Sequence, residues 1–218
     1  METALWDATT LALYSSSFPN VGTGTRGQAS GMFYMGADFA SQQKRISGNL
    51  KRVSEFKSST TSSKTYITLS CADPKKICGK VYQGNAIGGY TETVNGWFGY
   101  YHYITFCPPF FTIDTLSDKI NDIEQDLAGG NTNTASDMTW LRTTGQYFLH
   151  ELMHTRVADG GVEPHINDEY LVPADGSQPD DRRRAYGPRL VQFLARKSGA
   201  SRSSTNADSY ALLANAAW

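Results

Sequence analysis

The sequence predicts an α+β fold in which a small antiparallel sheet or hairpin precedes a mostly helical C-terminal half. Three observations predict it. The segment from Thr65 to Cys107 is rich in β-branched and aromatic residues, with an Asn95-Gly96 pair between strand-favouring runs. "LSDKINDIEQDLAG" repeats apolar residues at Leu116, Ile120, Ile123 and Leu127, the spacing of one helix face, and ends at Gly129-Gly130. Two more helical patterns, "GPRLVQFLARKSG" and "TNADSYALLANAAW", close the chain. No internal repeat or linker composition divides the 218 residues, so one domain over 1–218 is expected.

Residues 1 to about 30 are rich in Ser, Thr and Gly and read as loops or short edge structure, and "GMFYMGADFASQQKRISGNLKRVSEF" begins a helix. The run "KSSTTSSK", residues 57 to 64, is a polar loop leading into the strand "TYITLSC". Cys71 and Cys78 enclose "CADPKKIC", whose Asp-Pro favours a turn that brings the two sulfurs together as a disulfide. Cys107 is then left as a free thiol or in a rearranged pairing. Asn95-Gly96 marks a hairpin turn, and Pro108 and Pro109 stop its second strand because proline cannot donate to a ladder. Ser136 or Asp137 can cap a helix over 137 to 157 that stops before Gly160-Gly161. The Pro-, Gly- and Asp-rich stretch 160 to 181 is a long loop of the kind that often serves function.

Net charge −1 leaves no field that would gather nucleic acid or an anionic membrane, and the clusters Lys44-Arg45, Lys75-Lys76 and Arg182 to Arg184 read as solvated faces. No apolar run approaches the ~20 residues that span a bilayer, and the N-terminal residues lack an export signal's basic and apolar regions. Charged residues make up only 19% and Ser, Thr, Asn, Gly and Tyr are plentiful, a composition like that of secreted proteins. A secreted monomer is expected.

The stretch "GQYFLHELMHTRVADGG" carries the chemistry. Residues four apart on a helix differ by about 40° in azimuth, so His150 and His154 project from one face a turn apart and can share one ion. Glu151, rotated by about 100° from His150, stands beside that ion and can take a proton from water. This is the physical content of His-Glu-x-x-His: two Zn2+ ligands and a general base, with zinc lowering the pKa of water to about 7. Two helical histidines bonded within a core would be the bland alternative. A catalytic zinc needs a third protein ligand and one open position. Neither closing helix holds a Glu, and no third His stands at metzincin spacing. The loop offers Asp159, Glu163, His165, Asp168, Glu169, Asp175, Asp180 and Asp181. His102, within the aromatic run "WFGYYHYITF", reads as a strand histidine satisfied by its neighbours, and the aromatics of that run as packing.

The sequence resembles the aspzincin metallopeptidases, the deuterolysin and peptidyl-Lys endopeptidase group, in "HELMH", "AYGP" (Ala185 to Pro188), the tail "NADSYALLANAAW" and the segment "CPPFF". The likeness covers about the second half of the chain, and none is recognisable over residues 1 to 65. It implies a zincin-like fold and a zinc endopeptidase acting on peptide or protein. It also implies an Asp as third ligand and Tyr186 as donor to the oxyanion of the tetrahedral intermediate. The family's Gly-Thr-x-x-Asp motif, with Tyr-Gly close behind, is broken here: "GGVEPHINDEY" lacks the Gly-Thr, and an apparent insertion separates Asp168 from Tyr186. Asp168 is the first candidate for the ligand, with Asp181, Asp180 and His165 as alternatives. The departure also motivates two rival readings, a secreted zinc-binding protein or effector without proteolysis and a zinc enzyme acting on a small molecule. Acidic loop residues such as Glu163 or Asp175 could attract a substrate Lys, as the peptidyl-Lys resemblance suggests.

Overall fold

A computed structural model describes residues 1–17, 26–56, 65–171 and 183–218, and for Arg26 the backbone alone. The fold is α+β, as the sequence predicts. The N-terminal part is helical: α1 (Glu2–Ser16) stands where the sequence reading placed loops, and α2 (Arg26–Met35) and α3 (Gln43–Ser54) cover most of the segment it read as beginning a helix. On α1 the buried positions are Ala4, Asp7, Ala8, Leu11, Ala12 and Ser15, a 3.6-residue period written mostly in small side chains. The buried Ser15 hydroxyl donates to the Leu11 carbonyl 2.6 Å away, so its polarity is absorbed within the helix. Small residues let α1 lie against α3 and the motif helix, with which its contacts are extensive.

Three strands, β1 (Thr65–Ser70), β4 (Gly89–Gly96) and β5 (Gly99–Phe106), form a sheet in the order β1-β5-β4, parallel between β1 and β5 and antiparallel between β5 and β4. The expected hairpin is there, with its turn two residues later than Asn95-Gly96. Gly96 pairs with Gly99, and Trp97-Phe98 make the turn. A Cβ on Gly96 would stand 2.6 Å from the Tyr101 ring, so this glycine makes room for an aromatic and leaves the reversal to its neighbours. A small ribbon, β2 (Val81–Tyr82) and β3 (Asn85–Ala86), precedes β4. The polar run 57 to 64 lies outside the described residues.

The cysteine pairing differs from the expected one. Cys78 bonds Cys107, with Cα atoms 5.1 Å apart, and Cys71 is a free, exposed thiol. The Asp73 carboxylate accepts from the Ile77 and Cys78 amides at 3.0 and 2.9 Å and from the Tyr90 hydroxyl at 3.0 Å. Those bonds curl the loop so that Cys78 meets the end of β5. The two cysteines are 29 residues apart. Closing such a loop is worth roughly 3–4 kcal/mol in the chain-entropy account. Cys107→Ser is therefore expected to lower unfolding free energy by about that amount, with Cys71→Ser neutral within ~0.5 kcal/mol. Denaturant titration checks both, and alkylation of the native protein should label Cys71 alone.

Helix α4 (Leu116–Ala128) appears where the periodicity places it, opened by a Thr115–Asp118 capping box. A short α5 (Asn133–Ser136) follows. The motif helix α6 (Thr144–Met153) starts later than residue 137. Asp137 caps only a turn, its Oδ1 accepting from the Thr139 amide at 2.8 Å, and the chain is extended again at Thr143, whose hydroxyl accepts from the Gln146 amide. Phe148, Leu149, Leu152 and Met153 bury the inner face of α6. Thr155 breaks the helix in an extended conformation before α7 (Arg156–Asp159), which Gly160 ends in the left-handed region. Helices α8 (Gly187–Ser203, broken at Gly199) and α9 (Ala207–Ala217) complete the core, with α9 packed against α6 and α2. No helix among the described residues is long and apolar enough to cross a membrane.

Candidate metal centre

Helix α6 delivers the two motif histidines to one point. His150 lies in its last turn and His154 at its C-cap, with Nε2 atoms 3.3 Å apart. Asp168 Oδ1 stands 3.3 Å from each of those nitrogens. Among the described candidate third donors, Asp168 is thus the one that meets the pair. His165 is not a member of this three-donor group, and Asp180 and Asp181 lie outside the described residues.

The outer ring nitrogens decide the protonation. His150 Nδ1 lies 3.2 Å from Asp208 Oδ1, an acceptor, and His154 Nδ1 lies 3.3 Å from the Ile166 carbonyl. Each Nδ1 therefore carries the proton, and each neutral ring turns a bare Nε2 lone pair inward. Asp168 Oδ1 is buried with no hydrogen-bond donor. Three donor atoms thus converge across equal gaps, and a proton on a ring nitrogen or a metal cation in their midst relieves their mutual repulsion. Zinc held at about 2.0–2.1 Å with tetrahedral angles separates its donors by about 3.3 Å, so the residues present fit that ion.

The loop that supplies Asp168 is clamped on two sides. Asn167 N–H donates to the Thr205 carbonyl at 2.8 Å, and Ala207 N–H donates to the Asn167 carbonyl at 2.9 Å. On the other side, Leu171 N–H donates to the Arg183 carbonyl and Ala185 N–H to the Glu169 carbonyl. Residues 169–171 and 183–185 are thereby paired antiparallel around Tyr170 and Arg184. This is how the sequence gap between Asp168 and Tyr186 collapses: the Tyr186 hydroxyl donates to Asp168 Oδ2 at 2.7 Å. Arg184 Nη1 donates to the same oxygen at 3.0 Å, so Oδ2 is satisfied while Oδ1 is not. Burial and the neighbouring Asp168 push the Tyr186 phenol well above its usual range, keeping it a neutral donor. Glu169, another loop candidate, is taken by Arg202 and the Thr205 hydroxyl.

Glu151 is buried beside the centre. Its Oε2 accepts from the Thr91 hydroxyl at 2.7 Å, which links the carboxylate to edge strand β4. A cleft of about 1380 Å³ runs beneath that strand, lined by Gly89, Tyr90 and Thr91 on one wall and by Tyr147, His150, Glu151, His154, Asp168 and Tyr186 on the other. The Cys78–Cys107 bond ties one wall of the cleft, the loop containing Ile77, to the end of β5.

Two contributors escaped the sequence reading. Thr91 carried no motif. Asp208 sits inside the quoted "NADSY", yet its role shows only in space: Oδ1 holds His150, and Oδ2 accepts from the Gly187 amide at 2.6 Å. Gly187 has φ 74°, a left-handed backbone that glycine adopts freely, which points its N–H at Asp208 as α8 begins. Asp208→Ala frees the His150 ring to flip or change tautomer. It is expected to weaken zinc binding about 10–100-fold, read by competition with a chelating dye, with little change in fold.

His102 is fully buried. Its Nε2 accepts from the Arg156 amide at 3.1 Å, so Nδ1–H donates to the Thr93 hydroxyl at 2.8 Å. Burial, with the nearby His165 and Arg156, pushes its pKa down to about 4. It is the satisfied strand histidine that the sequence predicts.

No family model matches the sequence, and no curated protein sequence matches it. A solved structure does. The chain is similar to a zinc peptidase from Grifola frondosa, with TM-score 0.54, 14% identity, and coverage of 98% of this chain and 90% of that one. At that identity the likeness is one of fold.

Proposed function

We propose that the protein is a secreted zinc-dependent endopeptidase of aspzincin type, a single zincin-like domain in which His150, His154 and Asp168 hold the metal and Glu151 is the general base. The convergence of three bare donor atoms beside a buried glutamate, in a cleft under an edge strand, carries the reading. The Grifola frondosa neighbour is described as a zinc peptidase, which supports the same chemistry. A disulfide supports an oxidising compartment.

Zinc, when bound, polarises the scissile carbonyl and acidifies water. Glu151 accepts the proton of the attacking water on its carboxylate and returns it to the leaving amine nitrogen. The Thr91 hydroxyl holds the Glu151 carboxylate by a hydrogen bond, which reduces the entropy lost in aligning it. Strand β4 ends the sheet, so its outward N–H and C=O groups can pair with an extended peptide laid along the cleft. Asp208 and the Ile166 carbonyl keep both imidazoles in the tautomer that leaves Nε2 unprotonated. In the resting protein Tyr186 and Arg184 brace Asp168. For Tyr186 to serve the oxyanion, its hydroxyl has to leave Asp168 Oδ2 to Arg184.

Digestion of casein and of a peptide library, with and without chelator and alongside a zinc determination, tests the reading. Chelator-sensitive cleavage with about one zinc per chain supports it. Stoichiometric zinc with no cleavage of any peptide would sink it in favour of a zinc-binding protein or a small-molecule enzyme.

A further inference from the structure

We propose that Arg184 is a positioning residue of the metal centre: by holding Asp168 Oδ2 it confines that carboxylate to one coordinating oxygen, so that the centre keeps three protein donors and one corner for water. The inference rests on the peptidase reading and adds to it a residue that the motif does not include.

The two oxygens of Asp168 are held differently. Oδ1 stands 3.3 Å from each histidine Nε2 and is buried without a hydrogen-bond partner. Oδ2 receives the Tyr186 hydroxyl at 2.7 Å and Arg184 Nη1 at 3.0 Å. A carboxylate oxygen has two lone-pair sites, so two donors occupy Oδ2 fully. With Tyr186 alone on Oδ2, its second lone pair would be free to turn to the metal beside that of Oδ1. The metal would then take four protein atoms besides water, and each added donor weakens its pull on the proton that Glu151 accepts. Arg184 is thus the donor that decides between a one-oxygen and a two-oxygen ligand. Its share grows if Tyr186 swings to the oxyanion, because Arg184 then stays as the donor on an oxygen whose side chain is only 12% exposed. The cost of losing Arg184 therefore falls on the reacting state more than on substrate binding.

The guanidinium is aimed by its surroundings. Nη2 donates to the Tyr170 hydroxyl at 3.1 Å, and the group lies 5.0 Å from the centroid of the Tyr170 ring. A planar fork tied through both terminal nitrogens has a fixed orientation that a lysine ammonium would not share. The Arg184 backbone is gripped as well, from the β2–β3 ribbon. Its N–H donates to Gln83 Oε1 at 2.7 Å, and Gln83 Nε2 donates to its carbonyl at 3.3 Å. Gln83 and Gly84 turn the ribbon with φ 51° and 82°, a geometry that Asn-Gly favours and that glutamine seldom adopts. The residue found there is one whose amide pairs with both backbone groups of Arg184. Gln83 thus supports Arg184 as Arg184 supports Asp168.

Cobalt(II) in place of zinc tests this, because its visible d–d bands are stronger in a four-coordinate site than in a five-coordinate one. The comparison takes cobalt-loaded wild type, Arg184→Met, Arg184→Lys and Gln83→Gly, and measures zinc content, melting temperature, and kcat and KM of the zinc-loaded forms on a cleaved peptide. Arg184→Met keeps the bulk over Tyr170 and removes the donors. Its bands should weaken as Asp168 Oδ2 joins the metal, and kcat should fall about 10–100-fold with KM and zinc affinity within about threefold of wild type. Arg184→Lys, which keeps a cationic donor, should recover part of both losses. Gln83→Gly suits the turn and removes the amide, so it should move bands and kcat in the same direction by less. Wild-type bands in Arg184→Met, or a kcat loss that follows zinc content or melting temperature, overturns the proposal and leaves the peptidase reading standing. A wild type that binds cobalt but cleaves no peptide overturns the peptidase reading, while the bands of Arg184→Met still decide the role of Arg184. A wild type that binds neither metal overturns both.

Discussion

Glu151→Gln is expected to bind zinc as wild type does and to lose about 10²–10⁴-fold in turnover, the usual contribution of a positioned general base. Glu151 is outside the three-donor group, so the metal keeps all its protein ligands. The substitution is nearly isosteric, and the Thr91 hydroxyl can donate to the amide oxygen as it does to the carboxylate, so the fold should be unaffected. What disappears is the capacity to accept a proton from water. Peptide hydrolysis measured beside metal content decides the matter. A variant that turns over as fast as wild type with one zinc bound would show that another group is the base, and a variant that loses its zinc would show that Glu151 is a ligand.

The part of the site legible in the sequence was the part written locally. His150, Glu151 and His154 lie within one turn of helix, so their geometry follows from 3.6 residues per turn and needs no knowledge of the fold. Helix α4 was legible from its own period, and strands β1, β4 and β5 from β-branched and aromatic content bounded by turn residues and prolines. Asp168 was harder, because the expected proximity to Tyr186 was broken in sequence and restored only by the pairing of 169–171 with 183–185. Asp208 is 58 residues from His150, and nothing at short range marks it as that ring's partner.

The errors share a physical origin. Helix α1 buries three alanines, a serine and an aspartate with Leu11 as the one bulky apolar side chain, so its face has helical spacing without the run of large apolar residues that makes a period visible. The disulfide could not be deduced from spacing, since Asp73 steers Cys78 through backbone bonds and Cys107 arrives from the end of β5. At Asn95-Gly96 a favoured turn dipeptide gave way to a tertiary contact with Tyr101.

Zinc should stabilise the fold strongly at pH 8 and progressively less toward pH 5, and Asp168→Ala should abolish most of that stabilisation. In the metal-free protein, burial alone would lower the pKa of His150, but Asp168 and Asp208 beside it raise it well above the usual imidazole value. His154 is raised as well, against the same burial, by Asp168. Asp168 is itself held well below the carboxylate range by the two rings, although burial opposes this. A raised histidine stabilises the metal-free fold fully below the unfolded imidazole pKa, and that contribution is lost as pH rises through the folded value. A depressed Asp168 contributes above the unfolded carboxylate pKa and fails only when pH falls through its lower folded value. Between those limits the empty cluster is held together by a proton, and zinc must displace that proton from the Nε2 atoms to bind. Falling pH therefore strengthens the competitor and weakens the metal. At free zinc 100 times its dissociation constant the stabilisation is about 2.7 kcal/mol, and it should shrink as acid raises that constant. Melting temperatures of loaded and chelated protein across this range provide the measurement. A zinc-dependent increment that stays constant or grows from pH 8 to pH 5 would mean that the ion is not held by these imidazoles, and a full increment in Asp168→Ala would remove Asp168 from the ligand set.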